Sequence, residues 1–424
     1  MAQAREGWQA AGSGGADQGT VRRANLALVL GSLRESGARS RARLAGDLGL
    51  NKATVSSLVG ELMERGLVRE GRPERGAVGR PGTIVELNGS GAFGIGAEIN
   101  VNHVTTLAVD LAGEVVSERK VSVDTRELEP AQVVDRLVEL LEGTLTDLSG
   151  RGEAPVSVVV GVAGLVDRAT GTVTVAPNLG WQGVPLAALV RESLGHPEFL
   201  VEVVNEANLA AVAEATPGDP ERRDILVLHG EIGIGGGIVA NGRPYQGRMG
   251  FAGEFGHMVV DRDGRRCGCG RSGCWETVIG LSRLLEEAAD ADDPLRSPDL
   301  GLEAKVAEIN RRAADGDPRT LEALRELGRW VGIGAALLVN ALNPALIVLS
   351  GYLGEVGAWI QDDVEAEVAR GVLAPDAGGT RIALSTLGLS AAVRGGAAVA
   401  IEHVYRDPTL VPRPAGAEEL GALS

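Results

Sequence analysis

The first periodic pattern in the chain is helical. From Val21 the run V-R-R-A-N-L-A-L-V-L-G-S-L places Leu26, Val29, Leu30 and Leu33 on one face, and Gly37 ends it. Ser40 predicts an N-cap for a second helix over 41–48, Gly49 a turn, and Asn51 a cap for a third helix. In that third helix Val55, Leu58, Val59 and Leu62 form the apolar face. Two short apolar runs, 67–70 and 83–87, read as paired strands. After a short linker over 88–92 the pattern becomes one of alternating strands and helices. Strands are predicted over 93–99, 105–110 and 114–123 as an antiparallel meander, an amphipathic helix over 130–148, and a buried strand over 156–162. The most apolar stretch, 331–349, is interrupted by Asn340, Asn343 and Pro344, so it reads as a buried helix and a strand, not a membrane span. Residues 1–20 are rich in Gly, Ala and Ser without an apolar run, which predicts a disordered tail and no signal peptide. The proline-bearing stretch 408–424 is expected to be a flexible tail.

Charge changes the picture of the first 88 residues. The chain as a whole carries a formal net charge of -16, yet residues 20–85 hold twelve Arg/Lys against six acids. A basic head on an acidic body fits a DNA-binding module joined to a sensor. Short helix, glycine turn and capped helix make a helix-turn-helix over 21–88, with duplex DNA as the expected partner. The candidate DNA contacts are Ser40, Asn51, Lys52, Ala53, Thr54, Ser56 and Ser57, together with Arg72, Arg75 and Arg80. These three arginines lie in G-R-P-E-R-G-A-V-G-R-P-G, a basic hairpin between the two strands that reads as a wing suited to a narrow minor groove. An ordinary three-helix bundle would carry the same outward Ser and Lys; the basic hairpin argues against it. Hydrophobic residues make up 44% of the chain but aromatics only 3%, so the core must be built from Val, Leu, Ile and Ala. Without a leader or a span, the expected location is cytoplasmic.

The densest chemistry lies between Gly253 and Glu276. All three cysteines, Cys267, Cys269 and Cys274, fall within eight residues, and His257 stands ten residues before the first. Three thiolates and an imidazole are a complete tetrahedral set for Zn2+, and four protein ligands make a structural site. Gly268, Gly270 and Gly273 let so short a loop curl round one ion. Scattered buried thiols or a disulfide are the other readings; an odd number of cysteines and a reducing compartment disfavour the second.

At this stretch the chain resembles the ROK family, which groups bacterial sugar-responsive repressors with sugar kinases. The signature Glu-x-Gly-His followed by Cys-x-Cys-Gly-x-x-Gly-Cys-x-Glu is met at Glu254, Gly256, His257, Cys267, Cys269, Gly270, Gly273, Cys274 and Glu276. The resemblance implies zinc on His257 and the cysteines, and sugar hydroxyls on Glu254, His257 and Glu276, joined by Asn178, Asn205 and Glu206. It also implies an α/β fold: a winged helix-turn-helix followed by two actin-like, ribonuclease-H-type lobes. The first lobe is expected over 92–204 plus 385–407, entered again by a final helix near 391–405, and the second over 205–384 with the zinc loop. Four positions depart from the family's kinases. The phosphate turn Asp-x-Gly-Gly-Thr reads Glu98-Ile99-Asn100-Val101-Asn102, the second glycine loop carries Glu231 and Ile232, the adenosine motif reads Ser350-Gly351-Tyr352, and Glu206 replaces the catalytic Asp.

These features together predict a sugar-responsive transcriptional repressor, not an enzyme, that binds an unphosphorylated monosaccharide and assembles as a homodimer or dimer of dimers. The alternative is an ATP-dependent sugar kinase with a DNA-binding head.

Overall fold

The computed structural model describes residues 18–71, 83–149, 155–215, 219–374 and 379–413. Two compact units divide the chain: residues up to Asn88 together with those from His403 onward, and residues Gly89–Glu402.

In the first unit the helix Gln18–Ser36 buries Leu26, Val29, Leu30 and Leu33, as its periodicity requires. It starts at Gln18 rather than Val21. The extra residues are exposed, where an apolar pattern gives no signal. The second helix spans Arg41–Leu48 and the third Lys52–Glu64. Gly49 turns the chain between them in the left-handed conformation, φ 66°. Strands β1 (Arg39–Ser40), β2 (Val68–Glu70) and β3 (Ile84–Leu87) form an antiparallel sheet in the order β1-β3-β2. The hairpin between β2 and β3, with Arg72, Arg75 and Arg80, lies outside the described residues.

The C-terminus differs from expectation. Residues 403–413 group with this first unit, where 403–407 were expected in the first lobe and 408–413 in a flexible tail; 414–424 lie outside the described residues. Pro408–Leu410 forms a 3-10 turn with Pro408 buried. Arg65 Nη1 donates to the Val411 carbonyl, 346 positions away, at 2.5 Å. Arg413 pairs with Glu61 at 2.9 Å, and Arg34 lies 4.3 Å from the Tyr405 ring centroid. Polar contacts between distant residues fasten this segment, so no local pattern could announce it.

The second unit is built on two five-stranded sheets. Strands β4 (Phe93–Ile99), β5 (His103–Asp110), β6 (Val115–Ser122), β7 (Pro155–Val162) and β11 (Leu200–Asn205) take the order β11-β7-β4-β5-β6. The small hairpin strands β8 (Leu165–Asp167), β9 (Thr172–Ala176) and β10 (Trp181–Val184) form their own sheet. The second large sheet contains β12 (Ile225–Gly230), β13 (Ile234–Ala240), β14 (Arg243–Pro244), β15 (Leu346–Gly351) and β16 (Arg381–Leu384), ordered β14-β13-β12-β15-β16. Each sheet repeats one plan, an antiparallel meander of three strands followed by two parallel ones. The parallel pairs need helical crossovers, which supply the layers on the sheets.

Every residue of β4 is buried because both its faces are covered. Ile95, Ala97 and Ile99 share a core with Leu137 and Leu141 of the helix Pro130–Ser149. On the opposite face the helix Ala391–Arg406 lies so close that a Cβ on Gly96 would stand 2.0 Å from the Val393 carbonyl oxygen. A second core gathers Trp275, Ile279, Leu324, Val331, Ile347 and Tyr352 round the long helix Pro318–Leu342. That helix ends at Asn343, whose φ of 44° is a left-handed cap. Among the described residues no helix is long and apolar enough to cross a membrane.

Candidate functional site

The head's capping geometry decides which polar groups remain outward. Ser40 Oγ accepts from the Arg43 N–H at 3.3 Å, and Asn51 Oδ1 accepts from the Thr54 N–H at 2.8 Å. Both oxygens are therefore committed to helix starts. Ser57 Oγ accepts from Arg22 at 3.3 Å. Lys52, Ala53 and Ser56 remain exposed on one end of the third helix, with Thr54 half-buried beside them.

In the second unit the chain folds back on itself round the cysteines. Val259 bridges to Cys274 and Arg266 to Ser272, both antiparallel, while Gly270 (φ 88°) and Gly273 (φ 74°) take the left-handed turns. A Cβ on Gly273 would stand 1.6 Å from the Asp261 carbonyl oxygen, so only glycine fits. Trp275, fully buried, donates its indole N–H to the Trp330 carbonyl at 2.7 Å and pins the loop to the core. His257, Cys267, Cys269 and Cys274 bring one ligand atom each to within 4.8 Å of one another. A tetrahedral ion with Zn–S bonds of about 2.3 Å sets its sulfurs roughly 3.8 Å apart. Cys269 and Cys274 Sγ stand 3.6 Å apart, and Cys267 Sγ lies 3.7 Å from His257 Nδ1, so this group fits a metal ion. Burial resists ionisation of Cys269, but the Arg271 N–H and guanidinium and the neighbouring thiols bring it down to about 6.

Glu276 connects this loop to the cleft. One of its oxygens lies 3.6 Å from Cys267 Sγ, and the other accepts from the Ile234 N–H at 3.1 Å. A Cβ on Gly233 would stand 2.5 Å from that second oxygen and 2.9 Å from Asn178 Nδ2, so Gly233 is where Asn178 and Glu276 meet. Glu254 opens to solvent, yet burial of its carboxyl and the charge of Glu276 push it up against the opposing pull of His257. Burial pushes Glu206 well above the carboxylate range, with Glu231, Glu98 and Glu254 adding to it. Asn205 stands apart from this group: its amide caps the following helix at Asn208 N (3.1 Å) and donates to the Gly164 carbonyl (3.0 Å).

The turn at 98–102 is closed on itself. Asn100 Nδ2 reaches Glu98 (3.1 Å), Glu206 (3.4 Å) and Glu231, and its Oδ1 accepts from the Val101 N–H at 2.7 Å. The Asn100 N–H itself bonds to the His103 carbonyl at 2.9 Å. Burial and the charge of Glu231 push Glu98 up to about 8. Burial opposes ionisation of Glu231 too, but the hydrogen bond and charge of His229, with His103 and Asn100, hold it below the usual range. His229 is buried between Glu231 and Ser350, at 3.2 Å from each. Sequence reading singled out Glu98 and Asn100 only as departures and missed His229 as a partner. The available signal was a histidine inside the apolar run I-L-V-L-H-G.

The glycine run after Glu231 has a packing explanation. Cβ atoms at Gly235, Gly236 and Gly237 would stand 2.6 Å from Ala207 Cβ, 2.2 Å from Phe255 and 2.4 Å from the Ala207 carbonyl oxygen. These glycines let β13 lie directly on the helix Glu206–Glu214 and on the turn that carries Glu254.

Comparison with known proteins gives the family of the chain. The family model described as "ROK family" matches residues 94–403. The chain is 28% identical over 389 residues to the xylose repressor of Bacillus subtilis (strain 168), covering 92% of this chain and 97% of that protein. A solved ROK family transcriptional regulator, a homolog of the E. coli MLC protein, superposes with a TM-score of 0.76 at 25% identity, over 92% of this chain and 98% of its own. The ROK family glucokinase from Streptomyces griseus, solved with glucose and AMPPNP, gives a TM-score of 0.62 at 30% identity over 73% of this chain and 100% of its own. The regulators thus match along a stretch of chain that the kinase does not reach.

Proposed function

This chain belongs to the ROK family, and on that footing we propose that it is a sugar-responsive, DNA-binding transcriptional repressor whose effector is an unphosphorylated monosaccharide. The observation that carries this reading is the self-closed turn at Asn100. Phosphate binding by such a turn needs backbone N–H groups that face the ligand. Here the N–H groups of Asn100 and Val101 are taken by the His103 carbonyl and the Asn100 side chain, and three carboxylates crowd the same spot. A nucleotide's phosphates would meet the charge of Glu231, two further carboxyl groups, and backbone N–H groups of Asn100 and Val101 that are already engaged. The sugar side is different: Asn178, Glu206, Glu254, His257 and Glu276 offer acceptors and an amide to neutral hydroxyls, which donate to carboxylates in charge-assisted bonds. Asn205 would act by positioning Glu206 through its cap.

Zn2+ on His257, Cys267, Cys269 and Cys274 would fix the loop that carries Glu254 and Glu276, a structural task that needs no open coordination position. The metal is expected at one per chain. The head would read duplex DNA with Lys52, Ala53, Thr54 and Ser56 in the major groove and the wing arginines alongside. A homodimer or dimer of dimers would set the spacing of two recognition helices, and a sugar that favours one arrangement would change operator affinity.

The test is selection of a binding site from randomised duplexes with the full-length chain, then anisotropy titration of the selected duplex with common monosaccharides and their phosphates. At least one free sugar should shift operator affinity tenfold or more, with its phosphate weaker. Failure to select any sequence, or turnover of a sugar with ATP at about 1 s⁻¹ or faster, would overturn the reading in favour of a kinase.

A further inference from the structure

A cavity of about 330 Å³ lies outside the sugar-side group, on the face of the first sheet that carries the helix Ala391–Arg406. Its floor is a row of register partners: Glu98 on β4 opposes Thr105 on β5, which opposes Lys120 on β6. Glu118, Glu303, Glu355 and the turn at 386–390 make the walls. Thr105 is only 4% exposed, yet its Oγ1 has no hydrogen-bond partner among the described residues. A hydroxyl this deeply buried, lining a cavity, is open to a hydrogen bond from whatever fills that cavity.

Charge selects the kind of ligand. Lys120 is tied to Glu303, and Glu98 is held largely protonated at neutral pH by its burial. Glu118 and Glu355 then face the cavity with no ion pair among the described residues, an excess of about two negative charges. The shape of that excess matters as well. The carboxylates of Glu118, Glu303 and Glu355 do not converge within 4.8 Å, as a compact metal ion would require. Nucleotides and sugar phosphates are excluded by sign.

We propose that this cavity binds a small organic dication of the α,ω-diamine type, with ammonium groups on Glu118 and Glu355 and one N–H donated to Thr105 Oγ1. Because the lining combines the first sheet with Glu303 and Glu355 from elements of the second half, an occupant would tie the two together. The proposal does not depend on the identity of the sugar or of the operator.

Isothermal titration calorimetry of the full-length protein with 1,4-diaminobutane tests it, with 1-aminobutane, ATP and sodium chloride of matched ionic strength as comparisons. One site per chain is expected for the diamine, with the monoamine at least tenfold weaker. Thr105→Val and Glu355→Gln should each weaken the diamine about tenfold. Glu355 is exposed, so its variant keeps the test valid even where Thr105→Val perturbs folding. A diamine signal no larger than that of salt, tighter binding of ATP than of the diamine, or unchanged diamine affinity in Glu355→Gln would each overturn the proposal.

Discussion

Glu61→Gln is expected to loosen the DNA-binding head from inside. Glu61 sits in the third helix with its side chain 5% exposed, and it takes Arg22 at 2.6 Å, Arg65 at 3.0 Å and Arg413 at 2.9 Å. Burial pushes the carboxyl up, but hydrogen bonds from Arg413, Arg65 and Arg22 override it and hold Glu61 at about 2, against 4.5 when unperturbed. At about 1.36 kcal/mol per unit that displacement would be worth about 3 kcal/mol. Arg22 and Arg413 are 46% and 37% exposed, so water screens them and about 2 kcal/mol is the better figure. Hydrogen exchange followed by mass spectrometry reads this locally, since amides in 52–64 exchange through opening of the head. A loss of ~2 kcal/mol should speed their exchange ~30-fold at pH 7 in Glu61→Gln. Arg413→Ala should act on the same amides with a smaller effect, and the double variant should fall short of additivity because the partners are shared. The folded value lies below the unfolded one, so the stabilisation is complete above about pH 4.5 and disappears as the pH falls toward 2. The gap between variant and wild type must therefore shrink in acid. Exchange within threefold of wild type at pH 7, or a gap as large at pH 2.5 as at pH 7, would refute the reasoning.

Three further outcomes follow from the second unit. Gly233→Ala should fold normally, since the nearest atoms to its new Cβ are the side-chain ends of Glu276 and Asn178, but it should weaken sugar binding about tenfold or more by displacing them, as read by calorimetry. Glu98 is raised to about 8 and Glu206 is raised in the same direction, so their contribution is complete below about pH 4.5 and falls as the pH rises, that of Glu98 being lost through about 8; calorimetric melting of this unit should be higher at pH 6 than at pH 8, with a flatter slope in Glu98→Gln. Metal analysis of protein purified without chelator should give one zinc per chain, and Cys269→Ser should abolish the sugar response while operator affinity stays near that of wild type.

What could be read in advance was local. Ser40 and Asn51 announce helix starts because a cap is made within three residues, and the apolar face of Lys52–Glu64 is set by helical period alone. Even so, the capping role that made these two residues visible also takes the side-chain oxygens first assigned to DNA. The candidate metal loop was visible because His257, Cys267, Cys269 and Cys274 are close in sequence and chemically unusual. The network at Asn100 was not, since β4, the Asn205 cap and the end of β12 supply its members from three distant segments. Parallel pairing of β4 with β7, and of β7 with β11, brings Glu98 and Glu206 together, and no pattern along the chain encodes that register. Arg65 and Val411 illustrate the same limit in the head.

The same topology explains how a sugar held in this cleft could bias a conformation, under the proposed function. Glu206 follows directly on β11 of the first sheet, and Asn178 precedes β10 beside it. Glu254, His257 and Glu276 hang from the turn and loop that follow β13 and β14 of the second sheet. One ligand gripped from both sides keeps all its bonds only while the sides stay close. Opening that strips one charged hydrogen bond costs about 1.5–3 kcal/mol, which favours the closed form roughly 10- to 150-fold in the liganded protein. A ligand gripped equally in both forms would shift nothing, however tightly it bound. Glu206→Gln removes a first-side contact and Glu254→Gln a second-side one, so each should reduce the bias as well as the affinity. A variant that kept full sugar affinity but lost the operator response would instead place the switch outside this cleft.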